Sequence, residues 1–200
     1  MEEVRVEEDI DAREQSLCAI CDLIRLGEID QAKSMLSCMP STAASLRLQA
    51  FLEPDLQTRL SLYSKSATWM KKNNGFDSKA VRQLFQELAA TKKDAEAMFN
   101  VGWLSSREEN FAEAKIWFER GREQDHSSCI NSLAVLFDKG DGVEKNLKTA
   151  NELFALAANL GNSNAMVNLG VNLMEDKKDD EAFVLFRKAA AIGNSHAMVS

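Results

Sequence analysis

Apolar residues recur along most of this chain at intervals of three and four, the spacing of one face of a helix. In the second half they also recur as sets. "AEAMFNVGWL" from Ala95, "SSCINSLAVLF" from Ser127 and "SNAMVNLGVNL" from Ser163 align with one another, and "SHAMVS" from Ser195 opens a fourth, truncated copy. Ala97, Cys129, Ala165 and Ala197 share one slot, at spacings of 32, 36 and 32 residues. Val101, Leu133 and Leu169 share the next large slot, followed by Gly102, Ala134 and Gly170. A second series, "FAEAKIWFERG", "LKTANELFALAA" and "DEAFVLFRKAA", aligns through Ala114, Ala150 and Ala182, with Phe118, Phe154 and Phe186 four residues on.

Small residues in two successive helical segments allow close approach, and the large residues one turn away fill the space between them. Each unit therefore reads as an antiparallel helical hairpin with one apolar seam. A single hairpin cannot bury that seam, so consecutive hairpins stack into an all-α, α/α solenoid. Gly161-Asn162-Ser163 and Gly193-Asn194-Ser195 close one helix with a residue suited to positive φ and cap the next.

The first half lacks this register. "GEIDQAKSML" from Gly27 reads as a second helix stopped by Pro40, with Leu17 to Leu26 as its partner. A further hairpin follows, its second helix opened by Pro54, and "SKAVRQLFQELAATKK" is one more helix. The expected organisation is an acidic disordered tail over 1–10, degenerate helical hairpins over 11–93, and repeats over 94–127, 128–163 and 164–195, with a truncated fourth from 196.

The stretch "FDKGDGVEKNLKTANELF", residues 137 to 154, carries glycines, acids and lysines that invite a metal or phosphate reading. A calcium loop starting at Asp138 would need oxygen ligands where Gly140 and Gly142 stand, and no G-K-S/T follows for a phosphate loop. The intervals between paired slots give another account: Ala97 to Ala114 and Ala165 to Ala182 are 17 residues, whereas Cys129 to Ala150 is 21. The stretch is a four-residue-longer linker, with Gly140 and Gly142 turning the chain, Val143 tucking back on the core and Asn146 capping the next helix.

These units resemble Sel-one-like repeats, a tetratricopeptide-like family of α/α solenoids. "NLGVNL", "GDGVEKNLKTANELFALAANLGNS" and "EAFVLFRKAAAIGNS" carry the resemblance, over Asp94 to Ser200. The first unit departs from the family pattern at Val101 and at Asp125-His126-Ser127, which replaces the glycine turn. The resemblance implies an adaptor or scaffold whose first helices line a groove. Carried over residue by residue, the groove positions are Phe99, Asn100 and Trp103, then Asn131, Ser132 and Val135, then Val167, Asn168 and Val171. They form an apolar floor with amides and no lysine or arginine. The expected ligand is an extended peptide or partner helix anchored on Trp103, with Asn100 and Asn168 bonding its backbone.

Charge and chemistry narrow the alternatives. The net charge is −7, and residues 1–15 hold seven acids against two bases. The most basic run, Lys71 to Lys93, has six bases and two acids, which a solvated helix pair explains as well as a phosphate-binding face does. An RNA-binding array is therefore disfavoured. The uncharged run Leu153 to Met174 contains five asparagines and Gly161, a poor fit to lipid. Neither a secretory signal nor a transit peptide is legible at the N-terminus, so a cytoplasmic or nuclear location is expected. Cys18, Cys21, Cys38 and Cys129 lack zinc spacing; Cys18 and Cys21 are read as buried free thiols on the stripe of Leu17, Ile20 and Ile24. His126 is read as a solvated turn residue, and His196 opens the last segment. No catalytic fingerprint is present, so the expectation is no enzyme, no cofactor and no metal. A regulatory or assembly subunit of an enzyme complex is the alternative, with a small hydrolase further behind. The chain stops inside a first helix, which suggests either a fragment or a partner covering the seam of Ala182, Leu185 and Phe186.

Overall fold

The computed structural model describes residues 2–54, 58, 62, 65–66, 79–192 and 194. The regular elements among the described residues are all helices, and the chain divides into two compact units, Met1–Lys92 and Lys93–Ser200.

In the first unit, α1 (Glu2–Leu26) is followed by α2 (Ile29–Ser37), α3 (Ala43–Leu52) and α4 (Lys79–Thr91). The helix α1 begins at Glu2, within the stretch 1–10 read as an acidic tail. Glu and Arg are good helix formers. Gly27 turns the chain out of α1 at φ 83°, as its place between two helical patterns anticipates. A capping box then starts α3: the Thr42 hydroxyl accepts from Ser45 N, and Ser45 Oγ accepts from Thr42 N. The second helix expected after Pro54 lies largely outside the described residues.

Leu17, Ile20, Cys21 and Ile24 form the buried stripe of α1, at intervals that return to one side of the helix. Cys18 is not on it. One residue on from Leu17, it is rotated about 100° away and is exposed. Burial pushes the Cys21 thiol up to about 12, and burial also raises Cys129 well above the ordinary thiol range. A disulfide reagent at mildly alkaline pH should therefore modify Cys18 and Cys38 in the native protein and reach Cys21 and Cys129 only after denaturation. Fast native reaction of all four cysteines, followed by thiol counting and peptide mapping, would contradict this placement.

The second unit is three helical hairpins: α5 (Ala95–Arg107) with α6 (Phe111–Arg122), α7 (Ser127–Lys139) with α8 (Leu147–Asn159), and α9 (Ser163–Glu175) with α10 (Asp179–Ala191). The second helices α6 and α8 also pack on the first helix of the next hairpin, α7 and α9. The shared slots behave as one would expect of a stack. Ala97, Cys129 and Ala165 are fully buried, as are Ala114, Ala150 and Ala182, with Phe118, Phe154 and Phe186 between them. Burying one such phenylalanine contributes about 1.5–3 kcal/mol. The glycines explain themselves by distance: a Cβ on Gly102 would lie 2.6 Å from Phe118 Cε1, and one on Gly170 would lie 2.7 Å from Phe186 Cε1.

The turns repeat as faithfully as the core. Lys93, Asp125 and Gly161 occupy one slot and all take positive φ, 51°, 54° and 84°. The residue after each caps a first helix. Asp94 accepts from Ala97 N at 2.8 Å, His126 Nδ1 from Cys129 N at 3.3 Å, and Asn162 Oδ1 from Ala165 N at 3.0 Å. The left-handed position is thus imposed by the turn and not by glycine, which is why the first repeat keeps it with aspartate.

The longer linker also follows its reading. Gly140 ends α7 in the left-handed conformation, with its N–H on Leu136 O at 2.9 Å, and Asn146 caps α8 through Thr149 N at 3.0 Å. Gly142 comes close enough to Phe111 of the preceding hairpin that a Cβ there would overlap the phenylalanine's own. The loop therefore packs back on its neighbour as well as turning. The fourth copy, from 196, lies outside the described residues.

Candidate functional site

The first helices α5, α7 and α9 present the predicted groove positions, but they do not all face outward. Trp103, Ser132 and Val135 line one cleft of about 290 Å³, closed below by Phe111 and Phe118 of α6. Asn131 and Asn168 meet across α7 and α9, where Asn168 Nδ2 donates to Asn131 Oδ1 at 3.2 Å. Val167 is half-buried and Val171 exposed. Beside them Asn172 Nδ2 donates to Asn151 Oδ1 at 2.8 Å and to Asp138 Oδ1 at 3.1 Å, extending the polar strip.

Two expected positions are corrected. Phe99 and Asn100 are buried, so neither can offer a surface to a ligand. Phe99 packs near Phe118 and the His126 ring, at centroid separations of 6.5 and 6.1 Å. Asn100 turns its amide back along the helix, donating to Glu96 O at 2.9 Å. Their slot neighbours Asn131 and Ser132 are only half-buried. Exposure at one slot thus differs between repeats, because it depends on what packs against each helix and not on position within it.

The floor is also less neutral than its sequence positions imply. Arg107 and Lys139, one turn beyond Trp103 and Val135, line the same cleft. The Arg107 guanidinium lies 5.8 Å from the centre of the Trp103 ring. Trp103 itself is half-buried. Arg107 and Lys139 carry the same signal in sequence, since they share a repeat slot, and both were missed because only the positions between core slots were carried over.

His126 is likewise not a solvated turn residue. Its side chain is 14 % exposed, and Nε2 lies 3.0 Å from Glu96 Oε2. Because Nδ1 accepts from Cys129 N, the ring proton sits on Nε2 and is donated to the carboxylate. The same inter-repeat contact recurs where Asn194 Nδ2 donates to Asn164 Oδ1 at 2.9 Å, because Asn194 and Asn164 occupy the slots of His126 and Glu96. In the middle repeat those slots hold Asn162 and Ser128. Asn162 Nδ2 and Ser128 Oγ are both buried and find no partner, as serine is too short to span the gap. Ser128→Asn should supply the missing acceptor and raise stability by about 1 kcal/mol. A lower melting temperature in thermal denaturation would show that this slot cannot take the larger side chain that its neighbours carry.

Among the described residues no group of three or more His, Cys, Asp and Glu is arranged to hold a metal ion, and no helix is long and apolar enough to cross a membrane.

Comparison with known proteins agrees with this architecture. The chain aligns with a Sel1 repeat protein from Oxalobacter formigenes at a TM-score of 0.56 and 19 % identity, over 92 % of this chain and 85 % of that one. It aligns with a protective antigen of uropathogenic Escherichia coli, described as displaying an SLR fold, at a TM-score of 0.55 and 23 % identity, over 94 % of this chain and 48 % of that one. Both likenesses are of fold. HcpC of Helicobacter pylori, which carries a beta-lactamase name, is 40 % identical over 58 residues, 28 % of this chain. The match spans a fifth of that protein, 20 % of its length. The Sel1 repeat model matches residues 95–126, 127–162 and 163–194, each opening beside one of the capping residues described above, and on that match the chain belongs to the Sel1 repeat family.

Proposed function

We propose that this protein is an interaction scaffold or adaptor that holds a peptide or partner helix on the face lined by α5, α7 and α9. Helical solenoids of Sel1 repeats are commonly used for protein–protein interaction and are typically non-catalytic. The observation that carries the reading for this chain is the cleft that brings Trp103, Ser132 and Val135 together across two repeats. Its shape suits an apolar side chain on the tryptophan ring, and aromatic residues in such settings dominate binding energy. Asn168 Oδ1 and Asn131 Nδ2, left over from their mutual bond, would serve the ligand's backbone.

A photo-crosslinking residue placed at Val135 tests the assignment, with the same residue at Ile116 as control. Ile116 is 50 % exposed but lies on the second helix α6. Partner proteins captured from the native cell at Val135 and absent at Ile116 support the groove. Capture at Ile116 alone, or equally at both, refutes it. If the captured partner is an enzyme whose activity depends on the chain, the role is that of a regulatory or assembly subunit.

A further inference from the structure

We propose that the cleft selects acidic peptides, seating a ligand carboxylate between Arg107 and Lys139 and an adjacent apolar side chain on Trp103 and Val135. This rests on the groove reading above and adds the chemistry of its partner. Arg107 and Lys139 stand at the same repeat slot, 32 residues apart, in the last turns of α5 and α7. Both side chains are exposed, both line the cleft, and neither is paired with a carboxylate among the described residues. The Arg107 guanidinium lies 5.8 Å from the centre of the Trp103 ring, within reach of a cation–π contact. Asp141 is the acid on the rim.

Two unpaired cations on a chain of net charge −7 stand against the prevailing sign, and a cleft with low-dielectric walls concentrates their field. At the third repeat the same slot holds Glu175, which confines the positive locus to the first two repeats and gives a bound peptide a direction. The acid would lie over α5 and α7, and the chain would run toward the asparagines of α9. A polynucleotide fits less well. Its affinity comes from many phosphate contacts along a basic track, and here two cations sit beside an apolar floor. The two residues also complement their helix dipoles. That role alone predicts a change in stability on substitution but no selectivity for a ligand.

The test is selection from a displayed random-peptide library on the whole chain and on the doubly charge-reversed chain, Arg107→Glu with Lys139→Glu. Peptides pairing an acid with a neighbouring apolar residue should dominate on the native chain. The best of these, measured by fluorescence anisotropy, should bind the reversed chain about tenfold more weakly or worse while that chain stays folded, with only the small fall in melting temperature that two reversed helix-dipole contacts give, and should lose affinity as salt rises. Selected peptides without acids, or acidic ones that bind both chains equally, overturn the proposal. If such binding is still lost in Trp103→Ala, the groove reading survives while its acidic preference falls; if Trp103→Ala is also without effect, both fall. A labelled single-stranded oligonucleotide that binds the native chain, fails on the reversed one and displaces the peptide would overturn the proposal in favour of nucleic acid.

Discussion

Gly102→Leu is expected to destabilise the protein by about 3 kcal/mol or more, at the upper end of what overpacking costs. The glycine lies where α5 meets α6, and even a Cβ there would sit 2.6 Å from the ring of Phe118, itself 1 % exposed. A leucine adds three further carbons in the same direction, and the ring cannot leave without opening the seam between the two helices. Gly170→Leu should behave alike against Phe186. In thermal denaturation each variant should melt roughly ten degrees lower. Gly102→Ala should cost less than leucine, because Ala134 fills the equivalent slot of the middle repeat, although the Phe118 ring must still shift to admit the Cβ. Unchanged melting temperatures for both leucine variants would mean that the hairpins do not pack through these positions.

The second large effect concerns binding. Trp103→Ala should weaken partner binding by about 2 kcal/mol or more, the loss typical of a central aromatic anchor. The ring is half-buried, covered on one side by the Arg107 guanidinium at 5.8 Å, and lines the cleft with its remaining surface. Its removal takes contact area from a ligand before it opens the core. The measurement pairs a binding titration against a partner captured at Val135 with a melting curve. Lost binding at nearly constant stability supports the anchor role. A large drop in melting temperature with binding retained per folded molecule would make Trp103 a packing residue and remove it from the site.

Much of the architecture was legible because it is periodic. Ala97, Cys129 and Ala165, or Phe118, Phe154 and Phe186, announce the same local packing three times, and three agreeing copies outweigh the ambiguity of any one helix. The caps were legible for the same reason: Asn162 follows a glycine turn and precedes an apolar run, and short polar side chains at such places satisfy free N–H groups. The linker around Gly140 and Gly142 was decided by counting, since the units on either side are four residues shorter.

What the sequence determined by itself is thus the repeat, its register, its small and large slots and the ends of its helices, all set by interactions within one or two turns. What only the tertiary structure decided is which face of each helix stays accessible. Phe99 and Asn131 share a slot, yet Phe99 is buried and Asn131 is only half-buried. His126 looks like a turn residue along the chain, but Glu96, thirty residues away, gives it a buried partner. Arg107 and Lys139 become a pair only when α5 and α7 lie side by side. Periodicity fixes how a helix points within its own hairpin; burial and charge at its surface are set by residues far along the chain, whose approach no local pattern records.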